Sequence, residues 1–228
     1  SFGDIEGGHA TGRQPNTAHD ETAFDLKVEH WLAADTKLVF LHHEMAQNNV
    51  PRTHATIFGE RWNGTTVGTD LQRDLDQQRR LTYLQLHQTG MSGVAEAARF
   101  SLSWQQHHEV EERTPGTGAQ RAQAFDVGTL GAFAQFESDL GRAGHLTWGV
   151  DWYHDTVNSW LRRVGTPAAG DGIQGPVGDD ANYDLLGVFV QDELELADGV
   201  MAQGGVRYTW AEGSEEHTSE LQSRQYLV

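Results

Sequence analysis

From Leu146 to Asp155 the chain reads LTWGVDWYHD, and large apolar residues (Leu146, Trp148, Val150, Trp152) stand at every second position. Thr147, Gly149, Asp151 and Tyr153 fill the gaps. A period of two puts alternate side chains on opposite faces of a strand, so this segment has one greasy and one polar face. The greasy face of a soluble sandwich looks inward, whereas that of a membrane barrel looks outward at lipid. Deciding between those two directions constrains the fold more than any other feature of the sequence.

The same alternation recurs along the chain. Strand-like segments run at about 22–33, 37–47, 77–88, 94–106, 122–138, 145–158, 182–196 and 200–212. Phe24, Leu26, Val28 and Leu32 share a face, as do Phe100, Leu102 and Trp104. Leu186, Val188, Val190, Leu194 and Leu196 form another row, interrupted by Asp192; Val206, Tyr208 and Trp210 belong to the last. The segment GVAEAARF is the best helical candidate, but it runs into SLSW and reads better as the entry to a strand. The expected class is all-β.

Hydrophobic residues make up only 37% of the chain, and the longest apolar run, Leu185 to Val190, is far short of the ~20 residues a membrane helix needs. A barrel strand crosses a bilayer with ~9–11 residues, half of them free to be polar. Low hydropathy therefore excludes membrane helices without excluding the membrane. The formal charge of -17 and the lack of a dense Lys/Arg stripe argue against a nucleic-acid partner. Cysteine is absent, which removes disulfides, thiolate metal sites and thiol nucleophiles together.

The connections sort by length. AADT (Ala33–Thr36), GMSG (Gly90–Gly93), LGRAG (Leu140–Gly144) and ADG (Ala197–Gly199) read as short turns. Long polar loops are expected at about 48–76, 107–121 and 159–181. In an up-and-down meander, alternate connections fall at the same end, so the long loops gather at one rim. Transmembrane β-barrels show this asymmetry, with short periplasmic turns and longer extracellular loops. The greasy face is accordingly expected to look outward, with Asp151 and Tyr153 toward a wet lumen.

From Tyr183 to Trp210 the chain reads YDLLGVFVQDELELADGVMAQGGVRYTW. This resembles paired barrel strands of TonB-dependent outer-membrane receptors, in which G-hydrophobic-F-x-Q-D-E precedes a short turn and then GG-x-R-Y. LTWGVDWYHDTVNS resembles the strand before them. The resemblance implies a slice of about eight strands from a larger barrel of about 22, in the outer membrane of a Gram-negative-type bacterium. It further implies uptake of a scarce ligand, such as a ferric siderophore or haem, driven by the TonB complex through parts outside these residues. Partners are then a small molecule or metal chelate and outer-membrane lipid. Asp151, Tyr153, Asp155, Gln191, Glu193 and Arg207 are the candidate lumen-lining residues, and no catalytic residue, metal ligand or cofactor is expected.

The tail differs. SEEHTSELQS, Ser214 to Ser223, has neither alternation nor turn chemistry. Glu215 to Ser223 resembles the translation of a sequencing-library adapter, GAAGAGCACACGTCTGAACTCCAGTCA. The expectation is a partial barrel domain over 1–213 and a non-native tail over 214–228, excluded from fold reasoning. The chain stays strongly acidic without it.

Several motifs have simpler explanations than chemistry. HHEMAQ (His42–Gln47) begins like a zinc-protease helix, but Gln47 stands where H-E-x-x-H needs its second His. HHEVEE (His107–Glu112) is expected at the start of a long loop. Adjacent His on a strand point to opposite faces, so each pair offers one ligand at most to a given site. GGHATGR (Gly7–Arg13) lacks the Lys-Ser/Thr step of a phosphate loop, and GDGIQGPVGDD (Gly170–Asp180) lacks the spacing of a calcium loop. Two rival folds remain. A passive porin or small structural or adhesive barrel, if complete, must pair its first and last strands. A soluble sandwich must bury Trp148 and Trp152 between two sheets.

Overall fold

The computed structural model describes residues 14–59, 61, 66–164, 172–174, 177–214 and 226–227. Eight long strands follow in chain order: β1 (Asp20–Ala33), β2 (Thr36–Pro51), β3 (Gln72–Gln88), β4 (Ala97–Thr114), β5 (Gln120–Asp139), β6 (His145–Val164), β7 (Ala181–Ala197) and β8 (Val200–Ser214). Each pairs antiparallel with the next in one sheet, whose order is the order of the sequence. A two-residue strand β9 (Tyr226–Leu227) lies against Tyr208 and Thr209 of β8. The other tail residues, 215–225 and 228, and the GGHATGR segment fall outside the described residues. The sheet is open, because β1 and β8 are not paired. With a single unclosed sheet, neither the sandwich nor the closed small barrel describes this chain.

Register shows how the faces divide. Val28, Phe40, Leu84, Leu102, Ala132, Trp152, Leu186 and Trp210 are successive cross-strand partners, so they form one row on one face. Leu146, Trp148 and Val150 lie on that face too; many of its apolar side chains are exposed, Leu102 by 61% and Val206 by 70%, while Leu146, Trp148 and Trp152 are half-buried against their neighbours. The opposite face carries the partners Glu29, Val39, Gln85, Ser101, Phe133, Asp151, Gly187 and Thr209. Val39, Leu75, Glu111, Asp151, Ser159 and Leu161 are buried on this polar face, whereas Ala98, Ala124 and Ser138, all small, are buried on the apolar one. Crowding on one side and splaying on the other is how a sheet looks when curled with its polar face inward.

The apolar stretch does not stay level along the ladder. The row through Val28 crosses the middle of it in β1, between Phe24 and Leu32, but the top of it in β8, where Glu212 follows Trp210. Such drift is what tilted strands produce when they cross a layer of fixed depth. Aromatic residues mark its edge. The Trp152 indole N–H donates to Asp184 at 3.2 Å, keeping the ring in the apolar band and its polar edge just beyond. Among the described residues no helix is long and apolar enough to cross a membrane.

The strands overrun the sequence-based bounds at the long-loop end. β4 continues to Thr114, so HHEVEE is strand, and the connection to β5 is only residues 115–119. The expected long loop over 107–121 is thereby corrected, and residues 89–96 form a longer connection than it does. Beyond the bilayer both faces meet water, so apolar alternation fades although the ladder continues to satisfy backbone hydrogen bonds. Strands of 17–20 residues from β3 to β7 exceed the ~9–11 a bilayer needs, which accounts for the surplus.

Candidate functional site

The six expected site residues, Asp151, Tyr153 and Asp155 on β6, Gln191 and Glu193 on β7, and Arg207 on β8, all share the polar face. Asp151 and Arg207 are the pair brought together across strands, while Gln191 and Glu193 touch along β7. Arg207 Nη1 and Nη2 donate to the two Asp151 carboxylate oxygens at 2.8 and 2.7 Å, and Nε donates to Thr209 Oγ1 at 3.1 Å. The guanidinium crosses β7 at Gly187. A Cβ there would stand 2.0 Å from Arg207 Nη2, so the crossing needs glycine.

Three of the other four hydrogen-bond locally. Thr129 Oγ1 donates to Asp155 at 2.6 Å, and Gln203 and Gln191 donate to Glu193 at 3.1 and 3.4 Å. Tyr153 leans over Gly131. Beside the ion pair, Phe133 and Phe189 stack 6.2 Å apart, with the Arg99 guanidinium 5.0 Å over Phe133. Phe189 lies over Gly149, whose added Cβ would meet the Ala134 carbonyl oxygen at 2.3 Å.

Sequence reading missed a second feature of this face. Arg73, Arg113, Arg121 and Arg163 are directly opposed on four consecutive strands, forming one cationic row near the long-loop rim. Like charges so placed repel, and two carboxylates are set among them. Asp70, from the β2–β3 loop, accepts from Arg113; Glu111 accepts from Arg73 at 3.0 Å and lies 3.9 Å from Arg121. The neutralisation is incomplete. Glu111 Oε1 and Arg121 Nε are buried without a hydrogen-bond partner, and among the described residues no carboxylate pairs with Arg163. Each arginine stands near a strand end in the sequence, but only register lines the four up.

The histidine pairs separate across the sheet, as alternation requires. His42 meets Thr82 at 2.8 Å on the apolar face, while His43 meets Asp25 at 2.5 Å on the polar one. His108 meets Asp126 at 2.5 Å, and His107 turns to the other face, edge-on to Phe125. His42, His43 and His108 meet their direct cross-strand partners and His107 a diagonal neighbour, and among the described residues no cluster of three or more potential metal ligands occurs. Of the GDGIQGPVGDD loop, Asp179 accepts from the Ser159 backbone N–H at 2.9 Å, which spends it on closing the loop against β6.

A single meander with an exposed apolar face and a crowded polar face defines a segment of transmembrane β-barrel wall. The chain belongs to the TonB-dependent receptor family: the profile described as "TonB dependent receptor-like, beta-barrel" matches residues 21–223. That is a family of outer-membrane transport receptors of Gram-negative bacteria, and not of enzymes. Solved structures that share the fold include two transport proteins. "Copper transporter OprC" superposes with a TM-score of 0.73 at 15% identity, over 99% of this chain and 34% of that one. BauA, "the Ferric preacinetobactin receptor from Acinetobacter baumannii", gives 0.61 at 12% identity, over 91% and 36%. The chain thus spans about a third of the length of these proteins. No curated protein matches it significantly.

Proposed function

We propose that this chain forms part of the wall of a TonB-dependent uptake receptor, with its polar face lining the lumen. In this reading Asp151, Tyr153, Asp155, Gln191, Glu193 and Arg207 line the passage at membrane depth, and the arginine row guards the mouth. The cargo is a scarce anionic metal chelate such as a ferric siderophore. The observation that carries the cargo class is the arginine row, an under-neutralised cationic strip in a chain of formal charge -17. Clustered guanidinium groups attract and orient carboxylate-bearing ligands by charge and by paired hydrogen bonds. Family membership supports energised transport, in which the TonB complex acts through parts of the receptor outside these residues.

The test is uptake of a radiolabelled ferric chelate by cells producing the full-length receptor. Accumulation should stop when the proton-motive force is collapsed or TonB is deleted. Uptake that continues under both treatments would identify a passive pore and overturn the reading.

A further inference from the structure

On the polar face the wall is sided in charge. β3 presents Arg73, Arg79 and His87 there and no carboxylate, whereas β7 presents Glu193 and Glu195 and neither Lys nor Arg. Arg79 stands about 20 Å down the strand from Arg73, and His87 about 26 Å further, at ~3.3 Å per residue. His87 is opposed directly by Lys37 of β2 and Arg99 of β4. An ammonium, an imidazole and a guanidinium thus share one rung near the short turns, at the far end of the same strands that carry the arginine row.

Like charges opposed across a ladder cost stability, and little offsets the cost here. Among the described residues the carboxylate paired with this rung is Glu29, which lies 3.8 Å from Lys37 but 2.8 Å from Lys27. Arg99 donates from Nη2 to the neutral Gln135 at 3.2 Å, and its Nε is buried with no hydrogen-bond partner. Among the described residues no carboxylate pairs with Arg79 or Arg99. We propose that Arg79 and the rung of Lys37 and Arg99 continue the arginine row into an anion track down β3, ending in a second anion-binding station at the periplasmic end of the lumen. The inference rests on the reading of the polar face as a lumen wall, and its ligand is an anionic chelate in transit. Glu193 and Glu195 hold such an anion off β7 by repulsion. Several separated stations move an ion better than one tight site, because each binds strongly enough to receive it and weakly enough to release it.

The chain has no cysteine, so single thiols can report the local potential. Gln85→Cys on β3 and Gln191→Cys on β7 are each placed in the full-length receptor, with any cysteine outside these residues replaced by serine. They are labelled in cells with energised TonB by two methanethiosulfonates of similar size, the sulfonatoethyl anion and the trimethylammonioethyl cation. After division by the rates with a free thiol, the anion should be favoured about tenfold at the β3 thiol and disfavoured at the β7 thiol. Arg79→Gln with Lys37→Gln and Arg99→Gln should abolish the preference at β3 and leave β7 unchanged. Heat-modifiable gel mobility reports folding, and the comparison of β3 with β7 gives a reading even if the neutralised variant does not fold. Equal ratios at the two thiols, or a β3 preference that survives neutralisation in a folded receptor, overturns the proposal. So does a β3 thiol that neither reagent labels, which would show the rung covered by another part of the receptor. Uptake that ignores TonB would overturn the energised-transport reading and leave the thiol ratios standing, so the two failures are distinguishable.

Discussion

Arg207 on β8 and Asp151 on β6 are bound to each other across a strand that belongs to neither. Their bidentate contact passes over Gly187 of β7, and the Asp151 side chain is only 7% exposed, against 43% for Arg207. Ladder hydrogen bonds join nearest neighbours, whereas this pair clamps three strands at once. A double-mutant cycle with Asp151→Asn and Arg207→Gln should return a coupling of about 1–2 kcal/mol in urea unfolding of the full-length receptor. That is below the range for fully buried charge pairs, because Arg207 is partly screened by water. Additive single effects would show that the two side chains are not coupled.

Gly187 is expected to be sensitive through the same pair. Gly187→Ala places a methyl where the guanidinium lies, and the flexible arginine must swing away. The expected loss is about 1–2 kcal/mol, in line with the coupling of the partly screened pair that the methyl displaces. In the Arg207→Gln background the same substitution should do less harm. An equal effect in both backgrounds would detach Gly187 from the ion pair.

Gly149→Ala should be worse than Gly187→Ala. Its methyl would meet a backbone carbonyl oxygen, Ala134 O at 2.3 Å, as well as the Phe189 ring. Backbone cannot swing aside as an arginine tip can, so β5 and β6 must separate locally. The ranking is checked by the urea midpoints of the two variants, and the reverse order would contradict it.

If the arginine row guards the mouth, Arg121→Glu with Arg163→Glu should slow capture of an anionic chelate, mainly through the association rate. The difference from wild type should shrink as salt rises, because screening removes long-range attraction. Stopped-flow binding at two ionic strengths measures both effects. A salt-independent defect would indicate a local structural change instead.

The tail calls for a measurement on DNA. We propose that residues 214–228 are translated adapter and that the native barrel domain here is 1–213. The family match runs to residue 223 and so includes the start of this tail, which makes the junction worth reading directly. Resequencing the source DNA across the codons for Gly213 and Ser214 should replace Glu215 onward with other residues. Native reads carrying EEHTSELQS would refute it.

The parts of the fold legible in the sequence were those in contact with the bilayer. Trp148, Val150 and Trp152 announce a strand because lipid on one side and water on the other impose alternation. The ends were not legible for the same reason reversed. From Gln105 to Thr114 both faces of β4 carry mostly polar side chains, so no solvent contrast writes a period into HHEVEE. The polar face was legible as a set, since odd-numbered positions of β6 to β8 follow from alternation alone. Arg73 and Arg163 are not legible as members of one row, because that row depends on the register of three successive strand pairs, one of them joined by the short connection at 115–119.

The slow descent of the apolar stretch along the ladder turns the bilayer into a ruler for strand pairing. A hairpin that slipped by two residues would preserve every inside and outside position, and so pass any test based on face alone. It would nonetheless shift all later strands by about 7 Å along their own axes, roughly 5 Å of it in height, sinking groups such as Asp184 and Glu212 into hydrocarbon or lifting Trp210 out of it. Membrane thickness therefore proofreads a mistake that alternation cannot detect, and it does so for the whole meander at each hairpin.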